Sequence, residues 1–244
     1  MKKILVVESK LYLRDWPAML FSIVLPVALL LVLGSIPGLA EPDPNLAGQR
    51  VVDTHLPAMM ILLSLLTLAC TVLPAYLTGY REQGVLRRMS TTPVHPGLLL
   101  AAQLVINVVI GIGTSALVVL LGRVVLNASP PRQPFGFVLV LLLGTAALMA
   151  LGLVIASVAR SGKAAPGIGS AVMFPLMFVA GMWFPREVMP EALRTVGDYS
   201  VAGPFAQALR DTWAGGWPQP LHLAVMAAGL LVFGGLAVRL FRWE

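Results

Sequence analysis

The side chains able to do chemistry in this chain are few, and their spacing suits no common reaction. Gly162-Lys163 is the nearest approach to a phosphate-cradling loop. Ala164 follows where a Ser or Thr would hold Mg2+, however, and Ser157 stands where the first Gly belongs. The chain is therefore not expected to bind ATP itself. His55, His95 and His222 lie near the ends of apolar runs, far apart, without metal-ligand spacing. Cys70 is the only cysteine, which excludes an intrachain disulfide and a cysteine-based metal site and suits packing. Glu187, Glu191, Asp198 and Asp211 read as solvating the short helices around them, not as an acid–base pair. Neither Gly-x-Ser-x-Gly nor His-Glu-x-x-His occurs. The charged stretch with an organised pattern is Tyr80 to Pro96, between two long apolar runs, and its chemistry is docking.

That stretch carries Arg81, Glu82, Arg87 and Arg88. Glu82, Val85, Leu86 and Met89 suit a short amphipathic helix, with Arg87 and Arg88 offset from the apolar positions. Pro93 stops it, because proline disfavours helix at the residue before it, here Thr92, and donates no hydrogen bond. Pro96-Gly97 adds a second break. The expectation is a helical stub outside the bilayer, where a soluble partner grips; the alternative is an ordinary positively charged inner loop.

The rest of the chain must position this stub, and it is far more apolar. Of 244 residues, 58% are hydrophobic and 11% charged, with mean hydropathy +0.87. Soluble domains average about 45–50% apolar and about 25% charged. An all-α polytopic membrane protein is expected, in one transmembrane domain. The net charge of +6 lies beside apolar runs, so it implies membrane lipid and no nucleic acid. Residues 1–16 suit an interfacial helix, and Glu8, Lys10, Arg14 and Asp15 interrupt what would be the core of a signal peptide. Six transmembrane helices are expected at about 17–36, 55–79, 97–121, 135–158, 164–184 and 221–241, with Pro26 kinking the first. Residues 185–220 are too polar for another ordinary span and too apolar for a free loop. Pro190 and Pro204 each suit the start of a short helix there, and Trp213 and Trp217 suit the interface.

Polar positions inside the spans are candidates for a substrate pathway. Ser64, Thr67 and Thr71 line one face of the second span; that face either touches substrate or packs on another helix. Gln103, Asn107, Thr114 and Ser115 make the third span the most polar. In the fifth, Gly167, Gly169, Ser170 and Gly181 permit tight packing. Met173 and Met177 suit either an adaptable binding wall or core filling. No span holds Asp, Glu, Lys or Arg near its middle. A central charge costs about 2.5–3.5 kcal/mol and persists mainly where function needs it, so its absence argues against a proton-coupled pump.

Charge also sets orientation. With both termini cytoplasmic, eleven of the seventeen cations face inward: Lys2, Lys3, Lys10, Arg14, Arg81, Arg87, Arg88, Arg160, Lys163, Arg239 and Arg242. That bias follows the positive-inside rule.

Two segments carry a family resemblance. Glu82-x-Gly84-Val85-Leu86-Arg87-Arg88-Met89-x-x-Thr92-Pro93 resembles the first cytoplasmic loop of type-2 ATP-binding-cassette (ABC) export permeases. A second stretch, Ala180-Gly181-Met182-Trp183-Phe184-Pro185, Met189-Pro190, Gly203-Pro204 and Ala208-Leu209-Arg210, is similar to the outer segment before that family's last span. The short daunorubicin and multidrug-resistance permeases are the subgroup it most resembles. The resemblance implies an interfacial elbow helix and a coupling helix formed by Arg81 to Pro93. It also implies a re-entrant hairpin on the outer side, carrying Phe184, Pro185, Pro190, Pro204 and Arg210. Two copies of a separate ABC ATPase would hold ATP and Mg, with no cofactor on this chain. A second permease copy or paralogue would complete the core, in a bacterial cell membrane, and a small amphipathic drug, antibiotic or lipid would be exported. The alternatives are a glycan exporter of the same family and an ATP-independent secondary transporter. An intramembrane enzyme would need a constellation the sequence lacks.

Overall fold

A computed structural model of the chain describes residues 2–43, 48–85, 88, 97–183 and 189–240. Its apolar runs are helical, as they must be where hydrocarbon offers the backbone no hydrogen-bond partner. Helix α1 (Lys2–Arg14) is followed by α2 (Trp16–Gly34), a four-residue turn of helix (Pro37–Ala40) and a two-residue ladder pairing Pro42–Asp43 with Gln49–Arg50. Then come α3 (Val51–Glu82), α4 (Gly97–Leu126), α5 (Pro134–Val158), α6 (Ala165–Val179), α7 (Glu191–Tyr199), α8 (Ala202–Ala214) and α9 (Pro220–Leu240).

Five of these helices, α2, α3, α4, α5 and α9, are long and apolar enough to cross a membrane. Helix α6 has 15 residues. At about 1.5 Å per residue it rises about 22 Å, short of the roughly 30 Å hydrocarbon layer. It ends where Gly181 turns the chain at φ 82°. Helices α7 and α8 then fold back, and α8 is no surface element. Phe205, Ala206, Ala208, Leu209 and Trp213 are buried among α3, α5, α6 and α9.

Helix α3 is the axis of the bundle. Buried residues make up 94% of its most apolar stretch, against 17% for α9, and it touches α2, α4, α5, α6 and α8. Two prolines shape the interior. Helix α2 widens to π geometry over Leu20–Val24, just before Pro26, and α3 does so over Leu68–Val72, just before Pro74. A proline ring clashes with the carbonyl four residues back and brings it no N–H, and a π turn accommodates both effects. Where a kink at Pro26 is expected from sequence, a π turn is found. The Ser22 carbonyl, four residues before Pro26, instead accepts the Ser64 hydroxyl at 2.6 Å. The Cys70 carbonyl, four residues before Pro74, lies against the backbone of α6 at Gly169, and the Ala69 carbonyl lies against Gly152 of α5. A side chain at either glycine would collide with those carbonyls. A Cβ at Gly167 would meet nothing within 4 Å, so the close approach that needs a glycine is at Gly169.

Candidate functional site

A cavity of about 920 Å³ runs along one flank of α3, with α2 and α6 as its other walls. Asp15, Tyr76 and Pro166 line one end and His55, Met182 and Trp183 the other. Between them the lining is aliphatic and Met-rich, with Leu25, Met60, Leu63, Met173 and Met177 among its residues. Phe21, Phe174 and Trp183 stand exposed at its rim.

Of the six pathway candidates, four meet here. Thr67, Thr71, Met173 and Met177 line the cavity, and the Thr67 hydroxyl reaches the Met173 sulfur at 4.0 Å across it. Thr67 and Thr71 also donate to the carbonyls of Leu63 and Thr67 on their own helix, at 2.8 and 2.6 Å. The other two lie elsewhere. Ser64 is fully buried against α2 through its bond to Ser22. Asn107, also fully buried, donates to the Gln103 carbonyl at 2.9 Å on α4, outside the cavity lining.

The inner end of α3 is held by a polar cluster outside both family-like segments. Glu8 of α1, 6% exposed, accepts the Tyr80 phenol at 2.6 Å and the Gln103 amide at 2.5 Å. Asp15 accepts the Tyr76 phenol at 2.8 Å and the Ala18 N–H at 3.3 Å, capping α2. Tyr12 stacks on Tyr76 with ring centroids 6.3 Å apart, and its hydroxyl meets Ser22 at 2.7 Å. Burial raises the Tyr12 phenol above its ordinary pKa, and because the Ser22 hydroxyl donates to the Ala18 carbonyl at 2.6 Å, the Tyr12 hydroxyl is the donor to Ser22. A signal for this cluster was present in the sequence. Glu8, Tyr12 and Asp15 recur at helical spacing, and Tyr76 and Tyr80 form an i, i+4 pair on the facing helix.

The charged loop begins where α3 stops. Gly84 takes φ 67°, a left-handed backbone suited to glycine at a helix end, and the Gly84 N–H donates to the Arg81 carbonyl at 3.0 Å. The Arg88 N–H donates to the Gly84 carbonyl at 3.0 Å. Arg81 and Glu82 turn back onto the chain itself. Arg81 donates to the carbonyls of Ala156 and Ala159, and Glu82 accepts the Gly162 N–H at 3.0 Å. Both therefore hold the short loop from α5 to α6. The Arg88 guanidinium reaches the Gln83 carbonyl at 3.2 Å. Leu86, Arg87, Met89, Thr92 and Pro93 lie outside the described residues, as do Phe184 and Pro185 of the outer motif.

The remaining outer-motif residues sit where α6, α7 and α8 meet. Pro190 caps α7 and Pro204 is buried in the first turn of α8. Arg210 donates to the Ala180 carbonyl at the end of α6, at 3.3 Å, and approaches the Met59 sulfur at 3.9 Å. Nearby, Arg50 and Asp53 form an ion pair at 2.8 Å. Asp53 also accepts the Ser129 N–H at 2.8 Å, joining α3 to the loop after α4.

A bundle of long apolar helices with an apolar cavity along its central helix defines a multi-pass membrane protein. The chain belongs to the ABC-2 type transporter family, whose model matches residues 2–212. It is 25% identical over 231 residues to a Bacillus subtilis (strain 168) protein named "Putative transport permease YvfS"; the match covers 93% of this chain and 91% of that protein. The family is one of transport permeases, not of catalytic enzymes, and it works in general with an ABC ATPase.

Proposed function

We propose that the chain is the membrane-spanning permease subunit of an ABC exporter. It moves an amphipathic drug, antibiotic or lipid-like molecule out of the cytoplasm, using ATP hydrolysed on a separate ATPase. The observation that carries this reading is a mechanical route. Arg81 and Glu82, at the start of the charged loop, hold the α5–α6 loop at Ala159 and Gly162, and that loop leads into α6, one wall of the cavity. A push on the segment after Gly84 is thereby carried to the cargo wall. Docking itself falls to the residues beyond Gly84, while Arg81 and Glu82 transmit.

On this reading the chain sits in a bacterial cell membrane with both termini cytoplasmic, and two ATPase copies engage a pair of permeases. The second permease, a copy or a paralogue, covers the open flank between α2 and α6, where Phe21 and Phe174 are exposed. The apolar lining favours lipidic or drug-like cargo over glycan. The absence of a mid-span charge argues against an ATP-independent, proton-driven transporter.

The test is co-purification of the tagged chain with the ATPase co-expressed with it, followed by export in proteoliposomes with and without ATP. Glu82→Ala combined with Arg88→Ala is expected to lower ATP-driven export at least about tenfold. Unchanged export and unchanged ATPase association in that variant would remove the coupling assignment.

A further inference from the structure

The cavity is electrically lopsided. Its lining includes one carboxylate, Asp15, at the end that the basic residues mark as cytoplasmic. One histidine, His55, lies at the other end, and among the described residues no lysine or arginine lines it. Lys10 and Arg14, near Asp15 in sequence, are not part of the lining. Among the described residues no ammonium or guanidinium is within ion-pair distance of Asp15. Its oxygens are held by the Ala18 N–H and the Tyr76 phenol. Each carboxylate oxygen has a further lone pair, so both can still accept from a molecule in the cavity. An anion entering there meets a like charge and no cation. A lipophilic cation meets a counter-charge, with the rings of Tyr76 and Phe21 also in the wall.

The geometry points to a cationic amphiphile as the cargo class, with Asp15 as the specificity-determining carboxylate that receives its positive head at the cytoplasmic mouth. The cavity of about 920 Å³ is of the size that encloses a drug-sized molecule. The apolar body lies along Leu63, Met173 and Met177, where methionines adapt to its shape. This inference rests on the cavity being the cargo path.

The test uses the full chain in phosphatidylcholine nanodiscs. Three probes of similar apolar body are compared: tetraphenylphosphonium, tetraphenylborate and neutral triphenylphosphine oxide, with binding to empty nanodiscs subtracted. The wild type is expected to bind the cation at least about tenfold more tightly than the anion. Asp15→Asn keeps the helix cap through its amide oxygen and can donate its amide to the Tyr76 oxygen, so it removes charge and little else. It is expected to abolish the discrimination while leaving the neutral probe unchanged, and Asp15→Glu is expected to retain it. Ser170→Lys, on the α6 wall, leaves Asp15 intact and is expected to reverse the preference. Equal affinity of the wild type for cation and anion, or full discrimination in Asp15→Asn, would overturn the assignment. The assay contains no ATPase. Lost cation preference with ATPase association intact therefore sinks the cargo class alone, and kept preference without that association sinks the exporter reading alone.

Discussion

Helix α3 has two unlike flanks. On the α4 side it meets a span that carries two amides and two hydroxyls, yet Gln103, Asn107, Thr114 and Ser115 are all at most 2% exposed and the packing is closed. On the α2 and α6 side the residues are chiefly Leu and Met, and there the cavity opens. Polarity thus marks the sealed flank and grease the open one. The reason lies in the solvent. Lipid offers apolar side chains no gain on association, so helices are held together by small residues and by polar groups that find partners between them. In this bundle Gln103 to Glu8 and Ser64 to Ser22 are such bonds, whereas Asn107 and Ser115 bond back to α4 itself, and the passage is left to adaptable apolar side chains.

The comparison can be broken in several ways. The largest effect is expected from Gly169→Leu, which collides with the Cys70 carbonyl and unseats α6 from α3. A destabilisation of about 3 kcal/mol or loss of monodisperse protein on size exclusion is expected. On the sealed flank, Gln103→Leu leaves the buried Glu8 with the Tyr80 phenol and one donor fewer. It should lower stability by about 2 kcal/mol in thermal unfolding, with export per folded molecule unchanged. A fall in export without a fall in stability would mean that α4 lines the path after all.

On the open flank the pattern should invert. Met173→Trp fills the cavity and is expected to cut export about tenfold, equivalent to about 1.4 kcal/mol, while the unfolding midpoint moves little. Arg81→Ala frees the α5–α6 loop and should lower export to a similar degree, with ATPase association retained in pull-down. The smallest effect belongs to Thr71→Val. Its hydroxyl only bonds back to its own helix at Thr67, so stability should change by less than about 0.5 kcal/mol.

Much of the fold was legible because a bilayer leaves long apolar runs one choice. The ends were less so. Helix α3 starts at Val51 rather than near His55, with Pro57 inside it, and the Arg50–Asp53 ion pair and the Asp53 bond to the Ser129 N–H hold its first turn. The burial of α8 was hidden by composition. Its Ala202 and Ala206 look unremarkable in sequence, and so does Gly144 of α5, yet the missing side chain at Gly144 lets Phe205 press onto that helix. Met173 and Met177, read from residue type as either a binding wall or core filling, line the cavity. Ser64 and Asn107 lie outside the cavity lining, since helical spacing groups residues on a face without saying what that face meets. Arg81 and Glu82 were legible as a charged pair, but only the fold brings Ala159 and Gly162 within their reach.

The seat of Gly169 on the Cys70 carbonyl has a mechanical corollary. Backbone pressed on backbone can swivel but cannot slide, which makes that contact a fulcrum partway along α6. Displacing the Gly162 end in one direction would swing the Gly181 end in the other, like a see-saw. Spin labels at Ser161 and Met182, each measured against a fixed label on α9, would move in opposite senses. A helix of 15 residues is short for a membrane span but well proportioned for a lever.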